Sequence, residues 1–261
     1  MKNVNALFRN KIGFSEDETI TFEKLDEILE KTAKAIPFEN LSILSKKSKT
    51  LTKENLVDKI IIRNEGGLCY DLNSLLYLFL VENGFDVSLI RGIIYDHGGQ
   101  RWNTIGNTHV VIIMTYHDQL YLIDTGFGGN LPLKPVPFTG EIVNSKTGEF
   151  RVEKIESEHG DHMLFLKLHD KDKNWKIGYA FQSTETIKNI SELDEVQRII
   201  KVHQDSPFNK QPLLTMLTDN GSVTLTETSF TKWVEGKVEK IEIDQNDFKE
   251  ISKDYFGIEI D

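Results

Sequence analysis

One cysteine stands in 261 residues, Cys69, within the stretch Gly66-Gly67-Leu68-Cys69-Tyr70-Asp71-Leu72-Asn73. A cysteine attacks as the thiolate, and a helix N-terminus favours that form through its partial positive charge and unpaired N–H groups. The residues that follow supply such a helix. Leu72, Leu75, Leu76, Phe79 and Leu80 recur at i, i+3, i+4, i+7 and i+8, one face of a helix, and Gly84 closes it. Cys69 is therefore expected at or just before a helix N-terminus, behind a glycine pair that would let the backbone approach a ligand. The competing reading is a small buried hydrophobe, the fate of most free cysteines.

A nucleophilic cysteine needs a base, and the base needs a group that orients it. Of seven histidines, His97 falls in a glycine-rich loop and His117 at a hairpin turn. His159, His162, His169 and His203 lie among charged residues and read as surface positions. His109 differs, because it opens the apolar run Val110 to Met114 after Thr108. Alone it would more often be a satisfied core histidine. Asp124 ends the run Leu120 to Ile123, and a hairpin turning near residues 116 and 117 sets 109 and 124 across the ladder. Cross-strand Cβ atoms lie about 4.5–5.5 Å apart, within reach for a carboxylate to hold the imidazole Nδ1–H. Cys69, His109 and Asp124 are thus a candidate nucleophile, base and orienter. Gly126-Phe127-Gly128-Gly129 follows the acid and could offer N–H donors to an anion or a pantetheine chain, or could be only a turn. His159-Gly160-Asp161-His162 lacks further ligands at zinc spacing, so no metal site is expected.

The elements that must position these residues change character along the chain. The first third reads as helical: Thr21 is placed to cap a helix bearing Leu25, Ile28, Leu29 and Thr32, and Thr52 one bearing Leu56, Ile60 and Ile61. Ile36 to Ser42 reads as an irregular apolar connection with an embedded acid, Glu39. From Val87 the period becomes two, with strands over 87–95, 108–114 and 120–124, then near 150–156, 162–169 and 175–182. This antiparallel middle third could curl into a barrel. Ser191-Glu192-Leu193-Asp194 resembles a capping box for a helix through Val196, Ile199 and Ile200. Strands follow over 213–218, 223–228 and 238–243, then an amphipathic helix with Phe248, Ile251, Tyr255 and Phe256. The fold class is α+β, divided as 1–84, 85–188 and 189–261.

Hydrophobic residues make up 39% and charged ones 28%, an ordinary globular balance. The net charge of −10 argues against nucleic acid or an anionic membrane as partner, so an anionic ligand would need local N–H groups or a few lysines. A single cysteine excludes an internal disulfide and suits a reducing, cytoplasmic compartment. The N-terminus shows no signal-peptide pattern, and no run of 18 apolar residues suggests a transmembrane helix.

Four stretches together resemble the arylamine N-acetyltransferases: Ile36-Pro37-Phe38-Glu39-Asn40-Leu41, the block around Cys69, Thr108-His109-Val110-Val111, and Leu122-Ile123-Asp124-Thr125-Gly126-Phe127-Gly128-Gly129. Ser206-Pro207-Phe208 and the stretch from Leu214 to Leu225 form a weaker fifth. The resemblance implies a helical bundle, an antiparallel β-barrel and an α/β lid, the first two forming a papain-like core. It implies acetyl-CoA as co-substrate, with no metal. It also implies a ping-pong reaction: Cys69, paired with His109, takes the acetyl group and passes it to an arylamine, hydrazine or N-hydroxyarylamine. By position, Phe38, Phe127 and Phe208 would wall the acceptor pocket, and Thr108, Gly128 and Gly129 would lie on the CoA path. The implied role is xenobiotic metabolism by a monomer or homodimer.

Two positions depart from the family pattern. The arginine normally before the glycine pair is Glu65, and the glutamate normally two after the cysteine is Asp71. Glu65 would repel Glu39 unless Arg63 or Arg91 substituted for the missing arginine, and weakened activity is a consequence to test. Two rival readings use the same residues: a degenerate member that binds CoA or aromatic ligands with little turnover, and a papain- or transglutaminase-like acyl transferase or amidase.

Overall fold

Helix formation in the first third follows the apolar spacing, with two short helices added. A computed structural model describes residues 3–260. Met1 and Lys2, part of the N-terminus read as lacking a signal peptide, lie outside the described residues, as does Asp261. The first added helix is α1 (Val4–Ile12), which buries Val4, Phe8 and Ile12 and stops at Gly13, whose φ of 66° suits a glycine C-cap; the second is the single turn Leu41–Leu44. Next come α2 (Leu25–Ala35), α3 (Leu41–Leu44), α4 (Lys53–Leu56) and α5 (Cys69–Glu82). Thr21 makes no side-chain cap, because a 3₁₀ turn over Phe22–Lys24 precedes α2. Thr52 does cap, its hydroxyl accepting from the Asn55 N–H at 3.2 Å. α4 continues into a π-helical turn, Val57–Ile62. α5 is buried on every side over its first two turns, not on one face alone, because it runs between the other helices and the barrel wall.

The stretch read as an irregular connection contributes β1 (Phe38–Glu39). The barrel strands are β2 (Asp86–Asp96), β3 (Arg101–Trp102), β4 (His109–Tyr116), β5 (Gln119–Ile123), β6 (Val136–Pro137), β7 (Val143–Asn144), β8 (Gly148–Ser157), β9 (Gly160–Leu168) and β10 (Lys176–Ile187). They run antiparallel in the order β6-β5-β4-β2-β10-β9-β8-β7, with β3 paired to β2. β6 also touches β8, so the sheet nearly closes on itself. β4 is buried on both faces: Val110, Ile112 and Met114 pack against the helices, Val111 and Ile113 inside the barrel.

The turn from β4 to β5 fixes the geometry of the site. His117 and Asp118 both have positive φ, 48° and 59°, the conformation that joins hairpin strands with matching twist. The ladder pairs Ile113 with Leu122 and ends at Ile112 with Ile123. Continuing that register sets Asp124 across from Val111. His109 is therefore a diagonal neighbour on the same face, two residues along, and not directly opposite as the hairpin estimate placed it.

The last third holds α6 (Asp194–Val202), β11 (Leu213–Thr218), β12 (Gly221–Thr226), β13 (Ser229–Val234), β14 (Lys237–Glu242) and α7 (Gln245–Phe256). The cap ahead of α6 is Asn189 with Glu192, two residues before the expected Ser191. β13 was not anticipated from the sequence. The second sheet has the order β1-β11-β12-β13-β14, so a strand from the N-terminal third forms its inner edge. Phe38 pairs with Thr215 and Glu39 with Leu214, while Phe38 also bridges Gly67, two residues before the cysteine.

Candidate active site

Cys69 is the first residue of α5 and is 6% exposed. Its Sγ lies 3.5 Å from the Thr108 carbonyl at the foot of β4. The helix start is held by Asp71, whose Oδ2 accepts the Leu68 N–H at 3.1 Å. Gly66 and Gly67 serve packing, contrary to the ligand-approach reading. A Cβ on Gly66 would stand 2.0 Å from the Pro37 carbonyl oxygen, and one on Gly67 2.4 Å from the Asp71 Cβ. The glycine that closes on the nucleophile is Gly126, where a Cβ would meet the Cys69 Cα at 2.5 Å.

His109 joins Asp124 through Nε2, 2.7 Å from Oδ2. Spacing along the hairpin predicts Nδ1 for that bond; in the structure Nε2 makes it, which leaves Nδ1 available to Cys69. Both His109 and Asp124 are buried. Four donors converge on the Asp124 carboxylate. His109 Nε2 and the Tyr179 hydroxyl (2.9 Å) reach Oδ2, while Asn73 Nδ2 (2.9 Å) and the Gly126 N–H (2.7 Å) reach Oδ1. Asn73 is itself saturated, donating to the Val110 carbonyl and accepting from the Thr125 N–H and hydroxyl. One helix thus carries the thiol and, one turn later, the amide that fixes the carboxylate.

This arrangement sets the charges. Burial opposes a proton on His109, but the Asp124 carboxylate and Cys69 outweigh it and raise the imidazole to about 10. Burial likewise opposes ionisation of Asp124, yet His109, Asn73 and Gly126 hold its carboxyl below the usual range. Burial and the neighbouring carboxylate push the Tyr179 hydroxyl well above the phenol range, so it remains a donor.

A second buried cluster supports the helix start. Lys59, from the π-helical turn, lies 2.9 Å from Asp71 Oδ2 and 3.8 Å from Glu39 Oε1. The cation beside Glu39 is therefore Lys59, neither Arg63 nor Arg91. Arg63 instead pairs with Glu65 and Asp58 at the surface. Burial raises the Glu39 carboxyl, with Lys59 opposing and Asp71 and Glu65 reinforcing the rise. Burial lowers the Lys59 ammonium, but Asp71 and Glu39 reverse that and raise it overall.

A cavity of about 340 Å³ opens on Cys69 and His109. Phe38, Phe127 and Phe208 line it, as do Thr108, Gly128 and Gly129, so every residue assigned by resemblance to the pocket or the CoA path faces one space. Asp124 lies behind His109, away from the cavity. Asn103, Ile105, Ile200 and Leu213 also line it and were not singled out from the sequence. His162, read as a surface position, packs between Phe138 and Phe181 with its side chain 12% exposed. Among the described residues no group of three or more His, Cys, Asp or Glu side chains could hold a metal ion. No helix among them is long and apolar enough to cross a membrane.

Asn73 and Tyr179 escaped the sequence reading. Asn73 carried a signal, being polar and four residues from Cys69 on an otherwise apolar helix face. Tyr179 carried none, since its partner lies 55 residues away.

An N-acetyltransferase family model matches residues 21–261. YvcN of Bacillus subtilis, an uncharacterized acetyltransferase, is 39% identical over 94% of this chain and 94% of its own. An arylamine N-acetyltransferase from Bacillus cereus, described as having a unique Cys-His-Glu catalytic triad, superposes with a TM-score of 0.94 at 38% identity over 100% of both chains. One from Mycobacterium marinum, solved in complex with CoA, shares the fold at a TM-score of 0.83 and 24% identity, over 97% of this chain and 92% of that one. With its thiol and imidazole at one cavity and its carboxylate behind the imidazole on this fold, the chain belongs to the arylamine N-acetyltransferase family.

Proposed function

We propose that this protein transfers acetyl groups from acetyl-CoA to aromatic amines, hydrazines or N-hydroxyarylamines by a ping-pong reaction through acetyl-Cys69. The observation that carries the reading is the buried His109, bonded to Asp124 through one ring nitrogen and open to Cys69 through the other. In the first half-reaction the Cys69 thiolate attacks the thioester carbon. The C–S bond to CoA breaks, and the His109 proton goes to the departing CoA sulfur. In the second, the amine nitrogen attacks acetyl-Cys69, His109 takes the amine proton, and the Cys69 sulfur leaves. Backbone N–H groups at the start of α5 would stabilise the oxyanion in both steps.

The cavity fits a thioester reaching Cys69 past Thr108, Gly128 and Gly129, with an aromatic acceptor between Phe38, Phe127 and Phe208. CoA bound to the Mycobacterium marinum relative supports the same co-substrate here. The acid differs from the glutamate described for the Bacillus cereus enzyme, since in this chain Asp124 carries the carboxylate. Turnover need not suffer from Glu65, because Lys59 neutralises the junction the missing arginine would have served. We assign the protein to the cytoplasm, on its single cysteine, and to handling of foreign amines. We keep the division at 84/85 and 188/189 as a proposal.

Incubation with acetyl-CoA and an aromatic amine should release CoA and the N-acetyl amine, and the rate should follow the charge of His109. The imidazolium is present at neutral pH and lost as pH rises through about 10, so acetylation of Cys69 should fall along that limb. Stability shares the sign: the contribution of His109 is complete below its ordinary range and fades as pH rises through about 10. A pH–rate profile measures this, and a limb at an ordinary histidine value near 6.5 would contradict the ion pair.

A further inference from the structure

The wall of the cavity that carries Phe208 belongs to an irregular segment between α6 and β11, and its placement relative to Cys69 must be fixed by something other than a sheet ladder. Asn40 does this. It is 1% exposed, and its side chain makes two bonds to backbone of that segment and a third to the first residue of β11. Nδ2 donates to the Phe208 carbonyl at 3.0 Å and to the Gln211 carbonyl at 2.8 Å, using both amide hydrogens. Oδ1 accepts the Leu213 N–H at 2.8 Å.

Asn40 is in turn tied to the nucleophile. The preceding residue, Glu39, donates its N–H to the Gly67 carbonyl at 3.0 Å, two residues before Cys69. Phe38, the residue before that, sets its ring edge-on to Phe208 with centroids 5.6 Å apart. The aromatic wall and the start of α5 are thereby joined through the Asn40 amide, beside the pairing of β1 with β11. Ser206, fully buried, adds only a local bond, its hydroxyl accepting the Phe208 N–H at 3.3 Å.

We infer that Asn40 is a positioning residue for acceptor selection: it holds Phe208 at the distance from Cys69 that seats an aromatic ring, and so sets the preference for ring-bearing over ringless amines. The inference rests on the acetyltransferase reading. A residue that only stabilised the fold would depress turnover of all acceptors alike, whereas one acting through Phe208 should matter only where a ring uses the wall.

The test compares kcat/KM for an arylamine, 4-methoxyaniline, with that for hydrazine, which has no ring. In Asn40→Ala the ratio of the two should fall by about tenfold or more, in line with the cost of small displacements near a reacting centre. In a Phe208→Ala background the same change should move the ratio no further, because the wall is already gone. Should Asn40→Ala fail to fold, Asn40→Ser removes both donations to Phe208 and Gln211 with less lost volume and serves the same comparison. An unchanged ratio in a folded variant, or an equal further fall in the Phe208→Ala background, overturns the inference while leaving the acetyltransferase reading intact. A wild-type protein that acetylates neither acceptor overturns both.

Discussion

Asp124→Asn should lower acetyl transfer by about 10⁴, the loss an Asp→Asn change causes in a comparable serine-enzyme triad. The geometry argues for an effect of that size. Four donors point at the carboxylate, and it accepts all of them. An amide of the same shape offers one acceptor oxygen, and its nitrogen is itself a donor. Whichever way it turns, it faces donors with a donor. If the amide oxygen keeps Asn73 and Gly126, the nitrogen confronts His109 and Tyr179. His109 must then present an acceptor through Nε2, which puts its hydrogen on the nitrogen facing Cys69 in a neutral ring. The raised imidazole pKa also goes, because after burial the carboxylate is its foremost cause. The alkaline limb of the rate profile should therefore move well below 10 together with the loss of rate. Unpaired donors left in the buried site add a stability cost of about 1–3 kcal/mol. Kinetics and an NMR titration of His109 in the variant would measure both effects. A variant within tenfold of wild type would remove Asp124 from the account.

Lys59→Met should have the largest effect on stability, about 3–5 kcal/mol. The side chains of Glu39, Asp71 and Lys59 are 1%, 4% and 11% exposed, so the ammonium has no solvent substitute. Glu39 Oε1 has no hydrogen-bond partner within the protein and depends on Lys59 for its compensation. Without the lysine, two buried carboxylates share a site, and the proton already favoured on Glu39 by burial becomes firmly held. The sign follows from that direction. A carboxyl raised in the folded state binds more protons there than in the unfolded chain, so stability falls as pH rises above the ordinary glutamate range. The deficit of Lys59→Met should accordingly be greatest at neutral pH and shrink towards pH 4–5, the ordinary range of the carboxyl. In thermal unfolding the neutral-pH deficit corresponds to a lowering on the order of 10 °C. An unchanged melting temperature would mean that the cluster is neutral as a whole.

The candidate triad was legible in the sequence because its members stand out locally. Cys69 is alone of its kind and precedes a periodic apolar run, His109 opens an apolar strand, and Asp124 ends the hairpin partner. Even so, the hairpin estimate misplaced the register: two left-handed residues, His117 and Asp118, shift the ladder so that His109 and Asp124 meet diagonally. Which ring nitrogen faces the acid likewise depends on ring orientation, which spacing does not encode. The supporting residues were hidden for a different reason. Lys59 looks like one exposed lysine on a helical face until the π-helical turn rotates it towards Glu39 and Asp71. Tyr179 and Asn40 find their partners 55 and about 170 residues away, beyond any local pattern. β1 was missed because two residues carry no periodicity, yet its pairing with β11 joins the N-terminal third to the second sheet.

The central claim is that Cys69 itself carries the acetyl group, and intact-mass analysis of the protein incubated with acetyl-CoA, without any amine, tests it most directly. The account predicts a gain of one acetyl group that disappears in Cys69→Ala and is discharged when an aromatic amine is added. Acetyl transfer to the amine by Cys69→Ala at the wild-type rate, or an acetyl group gained equally by that variant, would contradict it.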